Sequence, residues 1–217
     1  MARTLADAIG GTVRQRATRE LRDRILTGTL PAGTRLDLDA ISREFGISRT
    51  PVREALLELS FQGLVTVAPR SGVTVLGVTP DQALDNFSIF AALSGKAAEL
   101  AAQRITPGAL TELALHAEDL TGRAGSVEAN WRFHSVINVA AGSAHLLSLI
   151  RQAVRLIPSN FLAVVPVHTD DDDEHAQLLA LVRRGRPTQA RAVAERHVQK
   201  AGTALVEWLS EQDASVG

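Results

Sequence analysis

Apolar positions along the first eighty residues change their period in a way that spells out a series of elements. Val13, Ala17, Leu21 and Ile25 recur every four residues with arginines between them, which predicts an amphipathic helix over 12–28. Gly28-Thr29-Leu30-Pro31-Ala32-Gly33 reads as a turn. Asp37 or Asp39 can cap a short helix running to Phe45, and Gly46 can end it in the left-handed conformation. Ser48 stands at the cap of the next helix and Pro51 in its first turn, where a missing N–H costs little. Val52, Ala55, Leu56 and Leu59 then form one buried stripe, and Gly63 stops the helix. Two alternating β-type runs follow, Leu64-Val65-Thr66-Val67 and Val73-Thr74-Val75-Leu76, joined by the hairpin loop Pro69-Arg70-Ser71-Gly72. Three helices followed by a two-stranded hairpin make a winged helix-turn-helix. Residues 1–11 read as a loose, flexible tail, so this domain spans 12–78.

Beyond Val78 the period stays helical. Thr79-Pro80-Asp81 opens a helix, and the expected spans are 80–104, 107–122, 126–141, 143–157, 169–185 and 188–211. The breaks fall at Gly and Pro: Thr106-Pro107-Gly108, Gly122 to Gly125, Gly142, Pro158 to Pro166, and Gly185 to Pro187. Six such helices can bury a bundle core. The expected fold is mostly α: an N-terminal winged helix-turn-helix, then an all-α bundle over 79–217.

Composition sharpens this in three ways. The chain has no cysteine, which excludes disulfides and thiolate metal ligands and fits a reducing cytoplasm. No apolar run approaches the ~20 residues that span a bilayer. Net charge is only −1, but its distribution is uneven. Residues 1–78 hold eleven arginines against eight acids, and residues 79–217 hold twelve bases against sixteen acids. The positive half is the one carrying the helix-turn-helix pattern, the sign expected of a DNA-facing domain.

The stretch Gly46 to Arg53 supplies the chemistry. Arg49 and Arg53 lie four apart on one helix face, beside the buried stripe. An arginine fork matches the O6 and N7 acceptors of a guanine edge. Ser48 and Thr50 can hydrogen-bond phosphates or bases. Arg70 at the wing tip suits a phosphate or a minor groove, with Gly72 permitting close approach. A lone arginine pair is most simply a solvated helix start, but here cap, stripe and wing occur in the order a DNA reader needs.

A second constellation lies in the helical half. Asn130 and His134 are four apart and share a helix face. His175 and His197 flank the turn near Arg186 symmetrically, so in an antiparallel hairpin both stand roughly 16 Å from it. A third helix packed between them brings three imidazoles and a side-chain oxygen together, a first shell suited to zinc or another borderline divalent metal. The plain alternative is three polar groups satisfied inside a bundle. His116, His145 and His168 read as surface or packing residues, Asp170 to Asp173 as acids complementing a helix start, and Glu174 as pointing away around the helix.

The chain resembles the GntR family of bacterial transcription regulators, in the subfamily typified by the fatty-acid regulator FadR. The residues that carry this are Leu21-Arg22-Asp23-Arg24-Ile25-Leu26-Thr27-Gly28-Thr29-Leu30-Pro31-Ala32-Gly33-Thr34-Arg35-Leu36, Gly46-Ile47-Ser48-Arg49-Thr50-Pro51-Val52-Arg53-Glu54-Ala55-Leu56 and Gly63-Leu64-Val65. The resemblance implies a homodimer whose recognition helices enter adjacent major grooves of a palindromic double-stranded operator. Arg49 and Arg53 would then be the principal contacts, assisted by Ser48, Thr50, Arg70 and Gly72. The second half looks like an FCD ligand-binding domain, whose metal motif matches His134, His175 and His197. Asn130 stands where that motif has aspartate, a neutral oxygen in place of an anionic one. Phe90 and Ser94 stand where relatives often have arginine and glutamate, so either the effector pocket is more apolar than theirs or its cation comes from elsewhere, such as Arg151 or Arg155.

The expected function is therefore a metabolite-responsive regulator, a repressor released from its operator by a small-molecule effector, and not an enzyme. Two rivals are a metal-dependent hydrolase or isomerase using the histidines, and a constitutive DNA-binding dimer without effector.

Overall fold

The computed structural model describes residues 12–68, 72–120, 127–158 and 170–216. The loop residue Arg70, the tail 1–11 and His168 lie outside them, as do the side chains of Asp170 to Asp173. The described residues fall into two compact units, 12–79 with 156–158, and 80–155 with 170–216.

The first unit opens with α1 (Val13–Leu26), started by a capping box in which Thr12 and Gln15 satisfy each other's backbone N–H groups. Ala17, Leu21 and Ile25 are buried, but Val13 is exposed, because the first turn projects past the core. After β1 (Arg35–Leu36), Asp37 caps α2 (Leu38–Phe45) by accepting from Asp39 N–H. Gly46 ends α2 at φ +64°, a conformation that favours glycine. Helix α3 (Arg49–Phe61) buries Val52, Leu56 and Leu59 in a cluster with Leu21, Ile25 and Ile41, and Ala55 on the same stripe is buried too.

Strands β2 (Val65–Ala68) and β3 (Gly72–Val75) pair antiparallel, Val65 opposite Val75 and Ala68 opposite Gly72. The wing has one strand more than the pattern predicts: β1 pairs with the other edge of β3, giving the order β1-β3-β2. Two residues are too short to show alternation, so this strand is created by its partner.

Among the described residues the second unit holds α4 (Pro80–Arg104), α5 (Pro107–Leu120), α6 (Val127–Ala140), α7 (Ala144–Val154), α8 (Asp170–Arg183) and α9 (Pro187–Val216). Helix α9 runs past the expected end at 211, since no glycine or proline interrupts Glu211 to Val216. Small residues on α4, among them Ala91, Ala98 and Ala101, are buried and let α9 pack closely along it. Leu113, Phe133, Leu178, Val182 and Val193 fill the core between these helices. Among the described residues no helix is long and apolar enough to cross a membrane.

Candidate DNA-reading face and histidine centre

Burial of the α3 stripe turns the opposite face of its first turn outward. Ser48, Arg49, Thr50 and Arg53 are all exposed. Ser48 occupies the N-cap position with extended backbone, but its side chain makes no capping hydrogen bond, contrary to the expected cap. The exposed Ser48 hydroxyl is therefore not spent on the α3 N-terminus, whose first N–H groups have no partner within the helix, as in an anion-binding helix start. Arg49 pairs with Asp39 of α2: its Nη2 donates to Oδ2 at 2.7 Å and its Nε faces Oδ1. Sequence reading missed Asp39 as a partner because it considered that residue only as a cap. Gly72 is exposed at φ +85°, with open space where a side chain would stand.

The three histidines expected to converge do so. His134 comes from α6, His175 from α8 and His197 from α9. Their ring centroids are 4.5 Å apart for His175 and His197, and 5.2 Å for His134 with each of them. One nitrogen from each lies within 4.8 Å of the others, and the Nε2 atoms of His134 and His175 are 3.2 Å apart. Phe133 packs its edge against His134 and His175, closing the centre on its core side. Burial, together with the charges of His175 and His197, holds His134 well below the ordinary histidine value and so neutral. Three imidazoles gathered this tightly offer the donor set of a borderline divalent cation. Asn130 is half-buried one helical turn before His134.

Glu174 corrects the sequence reading: it does not point away. It is 6% exposed, and its Oε2 lies 3.2 Å from His197 Nδ1. Its Oε1 accepts from Arg196 Nε and Lys200 Nζ, each at 2.9 Å. Burial pushes this carboxyl up, but Lys200, Arg196 and the charge of His197 outweigh it and hold the group below its ordinary value. An ionised carboxylate beside Nδ1 favours the His197 tautomer that carries its proton there and its lone pair on Nε2. Sequence offered one signal: Glu174 and His197 stand almost equally far from the α8–α9 turn.

The other expected effector residues are not gathered at the histidines. Phe90 packs into an α4–α7 cluster with Ala97, Ala141, Leu146 and Ile150. Ser94 is half-buried on α4, while Arg151 and Arg155 are exposed at the end of α7, where cations complement the helix dipole. His145 is exposed, as expected, but His116 is largely buried beside Glu112 and Asp119.

A winged helix-turn-helix with an arginine-bearing recognition helix, followed by an all-helical domain holding a buried ligand-type centre, defines a two-domain DNA-binding regulator. Comparison with known proteins agrees. The family model described as "Bacterial regulatory proteins, gntR family" matches residues 13–75, and the FCD domain model matches 85–200. An uncharacterised HTH-type transcriptional regulator of Mycobacterium tuberculosis is 28% identical over 77% of this chain and 70% of its own length. The Exu regulon transcriptional regulator of Escherichia coli is 25% identical over 91% of this chain and 86% of its own. In fold, the chain is similar to E. coli McbR/YncC, with a TM-score of 0.70 at 24% identity, covering 91% of this chain and 99% of that one. This chain belongs to the GntR family, with an FCD domain as its C-terminal half, and is a transcription regulator and not an enzyme. Regulators of this kind bind operator DNA and take small-molecule effectors through the FCD domain.

Proposed function

We propose that the protein is a metabolite-controlled repressor, working in the cytoplasm as a homodimer on a palindromic operator and released by a small carboxylate effector. The exposed first turn of α3 supports the DNA half of this reading. Arg49 and Arg53 address base edges, Ser48, Thr50 and the α3 N-terminus address phosphates, and the wing with Arg70 and Gly72 reaches the flanking backbone.

The observation that carries the control half is the buried convergence of His134, His175 and His197. These residues would hold a divalent metal, zinc by donor type, with the Asn130 carbonyl oxygen on the adjacent turn as a neutral fourth donor. A bound ion supplies a Lewis-acidic anchor for an anionic group of the effector. Phe133 excludes water from one side, and Glu174 orients His197. Tied as it is to Lys200, Arg196 and His197, Glu174 serves the histidine and is not poised as a general base. Control requires the effector to bind the operator-competent and operator-incompetent states with different affinity.

The test is a thermal-shift screen of small carboxylates on zinc-loaded full-length protein, followed by operator-binding anisotropy with each hit. An effector raises the melting temperature by mass action and weakens operator binding. A protein that binds its operator equally well with every stabilising compound is a constitutive DNA-binding dimer, and the proposal fails.

A further inference from the structure

A cavity of about 630 Å³ opens between the end of α4, α5 and α6, within the range of about 300–1,000 Å³ typical of small-molecule sites. It is not the histidine centre. Its α6 wall is Arg132, Ser135, Val136 and Val139, spaced three and four apart and so sharing one face. His134 is two residues from Arg132, roughly 200° around the helix, and faces the core instead.

Glu112, the acid that lines this cavity, stands beside His116 and is paired with neither arginine. Arg104 donates from Nη1 to the Ala141 carbonyl at 2.7 Å, which anchors the guanidinium at the end of α6. It has no carboxylate partner among the described residues, so the rest of its donor fork is unmatched. Arg132, on the α6 wall, is held by Glu128 on its own helix. Largely buried His116 leaves its Nδ1 without a hydrogen-bond partner: the Asp119 carboxylate stops 3.7 Å away, and Glu112 stands 3.8 Å from Nε2. A buried polar atom of this kind ordinarily has a partner. Val136 and Val139 give the same cavity an apolar wall.

We infer that this cavity is a second ligand site, separate from the histidine centre, for a small organic anion with an aliphatic body. Its oxyanion head lies on Arg104, with Arg132 as the second cation, and its body rests on Val136 and Val139. A planar guanidinium fork matches a carboxylate in bidentate fashion and accepts a phosphate oxygen pair as well. The inference does not depend on the histidines holding a metal.

The experiment is a ligand-observed NMR titration of the full-length protein with isovalerate, and separately with inorganic phosphate. Saturable binding of isovalerate is expected to persist in His197→Ala, and to weaken by at least about tenfold when Arg104→Gln is added to that variant. Arg104 also holds the Ala141 carbonyl, so Val139→Glu is the companion variant. That position is 62% exposed, and a carboxylate there repels the anion without touching the core. Phosphate binding with the same Arg104 and Val139 dependence supports the site as a general oxyanion pocket, and isovalerate binding alone supports a carboxylate pocket. No saturable binding of either probe, or binding indifferent to both variants, overturns the inference. Binding lost in His197→Ala but kept in Arg104→Gln also overturns it, while leaving the proposed effector site at the histidines intact.

Discussion

Arg49 of the recognition helix clasps Asp39 of the preceding helix, with Nη2 donating to Oδ2 at 2.7 Å. The Arg49 side chain is 73% exposed, so the pair contributes at most ~1 kcal/mol to the fold. Its consequence lies in DNA binding: the guanidinium aimed at the operator already has an anion, which DNA must displace. Asp39→Asn should therefore tighten binding to any duplex, and to scrambled duplex more than to operator. Anisotropy titrations at several salt concentrations check this. A narrower operator-to-scrambled ratio and a steeper salt slope are expected. A loss of operator affinity would mean instead that Asp39 aligns Arg49 for its base.

Arg49→Ala removes the fork without touching the buried stripe of Val52, Ala55, Leu56 and Leu59. Operator binding should fall by at least about fivefold, the lower end of what a bidentate guanine contact is worth. The melting temperature should stay put. Normal operator affinity in the folded variant would remove Arg49 from the DNA interface.

Glu174→Gln keeps the shape of the side chain but takes the anion from His197 Nδ1. Zinc affinity should fall by about 10–100-fold, the usual cost of losing an orienting partner behind a ligand. Competition with a chromophoric chelator measures it. Equal affinity in wild type and variant would reduce Glu174 to a structural ion pair with Arg196 and Lys200.

Stripping metal from the native protein with a chelator should lower its melting temperature, and zinc should restore it, because an ion that binds only the folded state stabilises it by mass action. His134→Ala should abolish this response. If wild type and His134→Ala melt alike with and without zinc, the histidines hold no metal.

Gly202→Ala tests the close approach of α4 and α9. A methyl group at that position would stand 2.6 Å from Phe87 Cβ, which is itself buried. Overpacking of this kind costs about 1–3 kcal/mol. A denaturant melt should show a lower midpoint, and an unchanged midpoint would mean that the α4–α9 crossing is looser than described.

The sequence by itself determined the elements whose signals are local. The period of Ala17, Leu21 and Ile25, the left-handed stop at Gly46, and the stripe on α3 were enough to place the helices of the first unit and the outward face of Arg49. The Gly and Pro breaks likewise placed the helices described in the second unit, with ends shifted by a few residues. The symmetry of His175 and His197 about their turn was legible for the same reason, since helical rise converts spacing into height. Tertiary structure alone decided what depends on partners far along the chain. Strand β1 exists because β3 offers it an edge. Asp39 meets Arg49 because Gly46 folds α2 back onto α3. Glu174 reaches His197 because α9 packs beside it, and Arg196 and Lys200 stabilise its charge against the cost of burial, where a sequence count points it elsewhere. Arg104, Arg132 and His116 share one cavity because α4, α5 and α6 splay there. None of those side chains carries a periodic signal, and what they do is set by which neighbours desolvate and oppose them.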